Sequence, residues 1–175
     1  MRTLALVAAL SVLVAGCAGI MQTSAGLAAS SDLRDANGQA VGTATFTEVN
    51  GGVRIVLDAR GLPPGVKGVH LHEVGQCDPP GFTSAGGHFN PTRRQHGLMN
   101  PQGPHAGDLP NITITPDGTG RLETMNERIT LGAEPNSILD ANGSALVVHA
   151  APDDFMTDPT GNSGPRIACG VIVKQ

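Results

Sequence analysis

The residue type most able to do chemistry in this chain is histidine, at His70, His72, His88, His96, His105 and His149. Neutral imidazole is the commonest metal ligand among side chains and suits copper and zinc. His70-Leu71-His72 lies in the run Val66 to Val74, which reads as a strand. Residues i and i+2 of a strand point to one face, so the two rings can converge on one ion while Leu71 faces the other side. His149 ends a second apolar run, Leu146-Val147-Val148-His149, and can come alongside. A lone His-x-His is more often surface polarity or a hydrogen-bonding pair; the placement of the other histidines carries the argument.

The elements that must position these rings read as β. Val41 to Val49 alternates, with Thr43, Thr45 and Thr47 opposite Ala44 and Phe46. Val53, Ile55 and Leu57 share one face of the next run, with Arg54 and Asp58 on the other. Asn50-Gly51-Gly52 joins the two runs, and positive φ is cheap there, as a tight hairpin requires. Ile112 to Thr115, Asp117-Gly118 and Thr119 to Thr124 read as a second hairpin, and Ile167 to Val173 as a late strand. With 24 Gly, 13 Pro and only 15% charged residues, a mainly helical fold is excluded. Residues 75–110 and 150–166 lack strand periodicity. Loops of that length tend to be functional or disordered, and metal ligation would explain how the histidine-rich one is ordered.

The chain divides into three parts. Arg2 followed by the apolar run Leu4 to Val14 reads as a signal peptide, residues 1–16, too short for a membrane span of about 20 residues. Leu13-Val14-Ala15-Gly16-Cys17 resembles the bacterial lipobox, which implies cleavage before Cys17 and a lipid on its sulfur. Residues 17–29 then form a tether of small residues, and the folded domain covers 30–175. Three cysteines leave one unpaired. With Cys17 lipidated, Cys77 and Cys169 remain as one disulfide in an oxidising compartment. The expected location is the cell envelope or periplasm, membrane-anchored through Cys17. No Trp or Tyr is present and the net charge is −4, so nucleic-acid binding is excluded as a function.

Five strings, in order, carry a family resemblance: Gly68-Val69-His70-Leu71-His72-Glu73, Gly86-Gly87-His88-Phe89-Asn90-Pro91, His96-Gly97 with Gly103 to Asn111, Val147-Val148-His149-Ala150, and Gly161 to Gly170. Together they resemble the copper–zinc superoxide dismutases over nearly all of the chain after about residue 30. The resemblance implies an all-β fold, a flattened Greek-key β-barrel or sandwich of about eight antiparallel strands with two long functional loops. It implies copper held by His70, His72, His88 and His149, and zinc by His88, His96, His105 and Asp108. His88 then serves both ions as a bridging imidazolate, and no histidine is left over. Arg166 would attract the superoxide anion beside copper, and Asp153 would hydrogen-bond a copper and a zinc histidine. The implied activity is conversion of superoxide to O2 and H2O2 by alternating reduction and oxidation of copper, which zinc cannot provide.

Two departures from eukaryotic members stand out. The stretch from Asp153 to Thr160 is short and acidic and lacks the lysine that helps guide substrate, so steering rests on Arg166 or on a basic residue such as Arg93 or Arg94. The span from Cys77 to His88 is longer than theirs. The alternative reading is a non-catalytic copper- and zinc-binding or copper-delivery module on the same fold; inactive relatives typically lack a copper ligand or the arginine, and this chain lacks neither. A purely structural envelope lipoprotein would tolerate loss of all six histidines. The motifs do not fix whether the chain forms a homodimer.

Overall fold

The computed structural model of the protein describes residues 26–175. The expected signal peptide, Cys17 and most of the tether lie outside the described residues. Ten strands follow in order: β1 (Ala28–Asp35), β2 (Ala40–Val49), β3 (Gly52–Ala59), β4 (Gly65–Lys67), β5 (Val69–His72), β6 (Ile112–Ile114), β7 (Gly120–Asn126), β8 (Ala145–His149), β9 (Arg166–Val171) and β10 (Val173–Lys174). No α-helix occurs among the described residues; a single 3-10 turn spans Thr83–Ala85.

The main sheet runs β5-β8-β9-β1-β2-β3-β7, antiparallel throughout, with β10 paired to β1. A second ladder joins β4 to β6. β4 runs on into β5 at one margin of the main sheet, and β6 turns into β7 at the other. The β4–β6 pair therefore links the two margins and curls the sheet into the expected flattened barrel. Its interior follows from the alternation: Phe46, Val53, Ile55 and Leu57 are fully buried, with Leu33, Leu71, Leu109, Ile112 and Leu146. Full burial of each large side chain stabilises by about 1.5–3 kcal/mol. The β2–β3 hairpin closes at Val49 and Gly52, and Gly51 adopts φ 95°, as an Asn-Gly loop demands.

Three features differ from the sequence expectation. The central strand β1 gave no strand signal, because Leu33 is the only large apolar residue in Ala-Ala-Ser-Ser-Asp-Leu-Arg-Asp. It starts at Ala28 and takes two residues from the expected tether. The run Val66 to Val74 is not one strand. It breaks at Gly68, where the backbone leaves β6 and joins β8. The Gly68 amide donates to Ala151 O and its carbonyl accepts from the His149 amide. A Cβ there would lie 2.9 Å from Ser163 Cβ, so only glycine lets the 150–164 loop press against the strand. The second hairpin forms its turn, with the Thr115 amide donating to Thr119 O at 2.8 Å, but its arms diverge, β6 to β4 and β7 to β3. A third long connection, residues 127–144, is pinned to β2 by Glu48, whose carboxylate accepts from Thr130 Oγ1 and the Leu131 amide.

Candidate metal centre

β5 and β8 pair with His70 opposite Val147, which brings His149 beside the His-x-His strand. The free edge of β5 is covered by the long histidine loop: the Leu71 amide donates to Gly107 O, and the Phe89 amide to Leu71 O. Gly107 permits that approach, since a Cβ on it would overlap Leu71 O. The loop thus delivers His88 and Asp108 to positions opposite His72 and His70.

His70, His72, His88 and His149 come together, buried, with one ring nitrogen each within 4.8 Å of the others. In His70, His72 and His149 the second ring nitrogen is already engaged. His72 Nδ1 donates to Gly86 O and His149 Nδ1 to Gly164 O, both at 3.0 Å, and His70 Nε2 donates to Asp153 Oδ2 at 2.8 Å. These bonds fix the tautomers. They leave His70 Nδ1, His72 Nε2, His88 Nε2 and His149 Nε2 buried with no hydrogen-bond partner. Buried polar atoms are nearly always satisfied. Four orphaned lone pairs converging on one spot are what a coordinated cation would satisfy.

A second set forms around Asp108. Its Oδ2 accepts from the backbone amides of Gly97 and His105, both at 2.9 Å. Its Oδ1 is left facing three imidazole nitrogens: His88 Nδ1 and His96 Nδ1 at 3.0 Å and His105 Nδ1 at 3.4 Å. His105 Nδ1 and His88 Nδ1 are also 3.4 Å apart. Ligands about 2.0–2.1 Å from a tetrahedral zinc stand roughly 3.3 Å from one another, a spacing close to these contacts of Asp108 Oδ1, although the group of atoms all within 4.8 Å of one another contains His88, His96 and Asp108 and leaves out His105. By distance alone His70 also groups with His88, His96 and Asp108. Its Nε2 is held by Asp153, however, and its Nδ1 is the orphan of the four-imidazole set. His88 is the one side chain with Nδ1 in the Asp108 cluster and Nε2 orphaned.

Burial governs the protonation of the first set. It pushes His70 down to about 3, His72 to about 2 and His149 to about 4. His88 is also lowered, chiefly by burial. His70, His72 and His149 are therefore neutral imidazoles near pH 7. Burial would lower His96 too, but the carboxylates of Asp108 and Asp153 outweigh it and raise the ring to about 9. Without a metal ion, a proton offsets the negative charge there. Asp108 is held far below the usual carboxylate range: burial opposes this, and hydrogen bonds with His105, His88 and His96 overcome it.

Asp153, 3% exposed, spans the two sets. Its Oδ2 accepts from His70 and its Oδ1 from His96 Nε2 at 3.0 Å. Asn111 clamps its backbone from both sides, at 2.9 Å each. Asn111, the Gly86 and Gly164 carbonyls, and Asp158, which accepts from the His96 amide at 2.6 Å, are supports the sequence reading missed. Only Gly161 offered a local hint. Its φ is 61°, and a Cβ on it would overlap Asp153 Oδ1. The acids of this loop are consumed in building it: Asp154 accepts from the amides of Met156 and Thr157 and from Asn162.

Arg166 stands opposite His149 in the β8–β9 ladder. Its guanidinium donates to Phe82 O and Gly86 O, both at 2.6 Å. Gly86 O accepts from both Arg166 Nη2 and His72 Nδ1, which sets the guanidinium beside the four-imidazole set. The disulfide Cys77–Cys169, Cα–Cα 5.7 Å, ties the loop that carries those carbonyls to β9. The alternative steering residue Arg94 lies elsewhere, lining a cavity with Pro91 and Pro104 that none of the six histidines reaches.

Comparison with known proteins agrees with this architecture. The family model for copper/zinc superoxide dismutase matches residues 40–172. A superoxide dismutase [Cu-Zn] of Aquifex aeolicus is 50% identical over 148 residues, covering 83% of this chain and 86% of the relative. That of Caulobacter vibrioides is 44% identical over 140 residues, covering 78% and 80%. The crystal structure of a SOD-like protein from Bacillus subtilis superposes with a TM-score of 0.79 at 39% identity, over 82% of this chain and 97% of that one. On sequence, fold and the convergence of six histidines, the chain belongs to the copper/zinc superoxide dismutase family.

Proposed function

We propose that the protein is an exported superoxide dismutase that protects the cell envelope, with copper on His70, His72, His88 and His149 and zinc on His88, His96, His105 and Asp108. The observation that carries this is His88, which takes part in both clusters through different ring nitrogens. Bound copper supplies the one-electron redox couple, and zinc, which has none, holds and polarises the shared ring. Two superoxide anions and two protons then give one O2 and one H2O2. Arg166, anchored on two carbonyls beside the four imidazoles, attracts the anionic substrate. His88 takes up a proton at Nε2 in one half of the cycle and gives it up in the other. Asp153 keeps His70 and His96 in the tautomers that ligation requires.

The disulfide supports the export reading, since such bonds persist in oxidising compartments. Anchoring through a lipid on Cys17 is part of the same proposal and rests on the lipobox string; mass spectrometry of the membrane fraction tests it. No helix among the described residues is long and apolar enough to cross a membrane.

The deciding experiment is direct superoxide decay by the full chain loaded with copper and zinc, against His149→Ala at equal concentration. Decay near the ceiling of about 10⁸–10⁹ M⁻¹s⁻¹, of which superoxide dismutase is a standing example, and largely lost in the variant, is expected. A fully metallated parent no faster than the variant would overturn the enzyme reading in favour of copper storage or delivery.

A further inference from the structure

Behind the zinc-side loop lies a cavity of about 460 Å³ lined by Pro91, Thr92, Arg94, Pro104, Ala106, Arg128, Pro135 and Asn136. Three proline rings and Ala106 make its walls apolar. Two arginines, Arg94 and Arg128, are among its lining residues, in a chain of net charge −4. Among the described residues, neither Arg94 nor Arg128 has a carboxylate within salt-bridge distance. Arg128 spends one donor on Asp108 O at 3.0 Å, and its buried Nε has no partner. The Asp108 and Glu127 carboxylates act on Arg128 only at longer range, and a half-buried guanidinium without a contacting carboxylate is costly to maintain.

The cavity is also built in advance. Fully buried Asn126 accepts from the Arg128 amide at 3.0 Å and donates to Ala106 O at 2.8 Å, fixing the arginine's backbone to the cavity floor. Asn136 donates to Arg128 O, and Asn90 holds both the amide and the carbonyl of Arg94. The volume falls in the range of small-molecule sites, which join apolar walls to a few convergent polar groups. We infer that this cavity binds a small organic carboxylate, its apolar body between the proline rings and its carboxylate on Arg94 and Arg128. None of the metal-cluster side chains lines it, and the Arg128 bond to the Asp108 carbonyl is its link to the metal centre.

Benzoate tests this on the full chain carrying zinc and reduced, diamagnetic copper, followed by the amide shifts of Ala106 and Asn136. Saturable shifts with a Kd of roughly 10 mM or tighter are expected for a ligand of this size. Neutral benzamide, which lacks the charge, and inorganic phosphate, which lacks the apolar body, should each bind at least about tenfold more weakly. Arg94→Gln, at an exposed side chain, should weaken benzoate about tenfold without disturbing the fold. No saturable shift, benzamide or phosphate binding as tightly as benzoate, or undiminished binding in Arg94→Gln would each overturn the inference. Superoxide decay should be unaffected by benzoate, so this test fails or succeeds independently of the dismutase reading.

Discussion

Gly161→Ala should damage the metal centre by crowding Asp153 and the His96 ring it holds, without replacing a ligand. At φ 61° any residue with a Cβ is strained. That backbone cost is about 1–2 kcal/mol. The new methyl would overlap Asp153 Oδ1 and lie 2.6 Å from His96 Nε2. It cannot slide away, because the Gly161 amide donates to Thr157 O and its carbonyl accepts from the Asp154 amide. Asp153 must turn off His96, losing a buried, charge-assisted bond worth about 1.5–3 kcal/mol. The total is about 2.5–5 kcal/mol off the metal-free protein at neutral pH. Loss of a group that orients a ligand typically lowers metal affinity about 10–100-fold. Gly164→Ala is the internal control: its φ is 73°, but the nearest atom to a new Cβ, Ala151 Cβ, is an ordinary 3.7 Å away. It should pay the backbone cost alone and keep its zinc. Urea unfolding of the metal-free variants and competition with a chromogenic zinc chelator give both numbers. If the two variants match in stability and in zinc affinity, the claim that Asp153 sets the zinc-side imidazole is wrong.

Arg166→Gln should slow superoxide decay about tenfold or more at low ionic strength and flatten its salt dependence, while copper and zinc content stay at the parent level. Replacing Cys77 and Cys169 by serine opens a closed loop spanning 92 residues. The chain-entropy model puts the cost at about 4–5 kcal/mol, read from the urea midpoint. Zinc binding to metal-free protein at pH 7 should release about one proton into a weakly buffered indicator solution, because His96, at about 9, is protonated until the cation replaces that proton. No proton release would show that His96 is neutral in the empty site. The metal-free protein should also lose stability as pH falls below 6.5. His70, His72 and His149 sit at about 3, 2 and 4 in the fold and near 6.5 when unfolded, so the unfolded chain binds protons first. His96 acts oppositely, its contribution being complete below 6.5 and lost as pH rises through about 9. Urea midpoints across pH 4–9 should therefore peak between those limits in the metal-free protein and be flatter in the metallated one.

What could be read from residues alone was whatever depends on neighbours in sequence. His70-Leu71-His72 announces two rings on one face because a strand repeats every two residues, and Asn50-Gly51-Gly52 announces its turn because of φ. The family strings extend this to the six histidines, Asp108 and Arg166, since each motif is short and contiguous, and the family resemblance adds Asp153 between two of them. Strand β1 escaped because its small residues are buried by position between β9 and β2, with no hydrophobic pattern of their own. The break at Gly68 escaped because it answers to Ser163, far along the chain. The same separation hides the rest: Asp108 divides its oxygens between two amides and three imidazoles, Asn111 clamps Asp153, and Gly161 makes room for it. Arg128 reaches a proline-walled cavity only after the 127–144 connection folds back onto the zinc-side loop. Some of those contacts, such as Asn111 to Asp153, join residues tens of positions apart, and the nearer ones, His105 to Asp108 and Gly161 to Asp153, form only within irregular loops. Chain folding creates them, and no local spacing encodes which ring nitrogen is left without a partner.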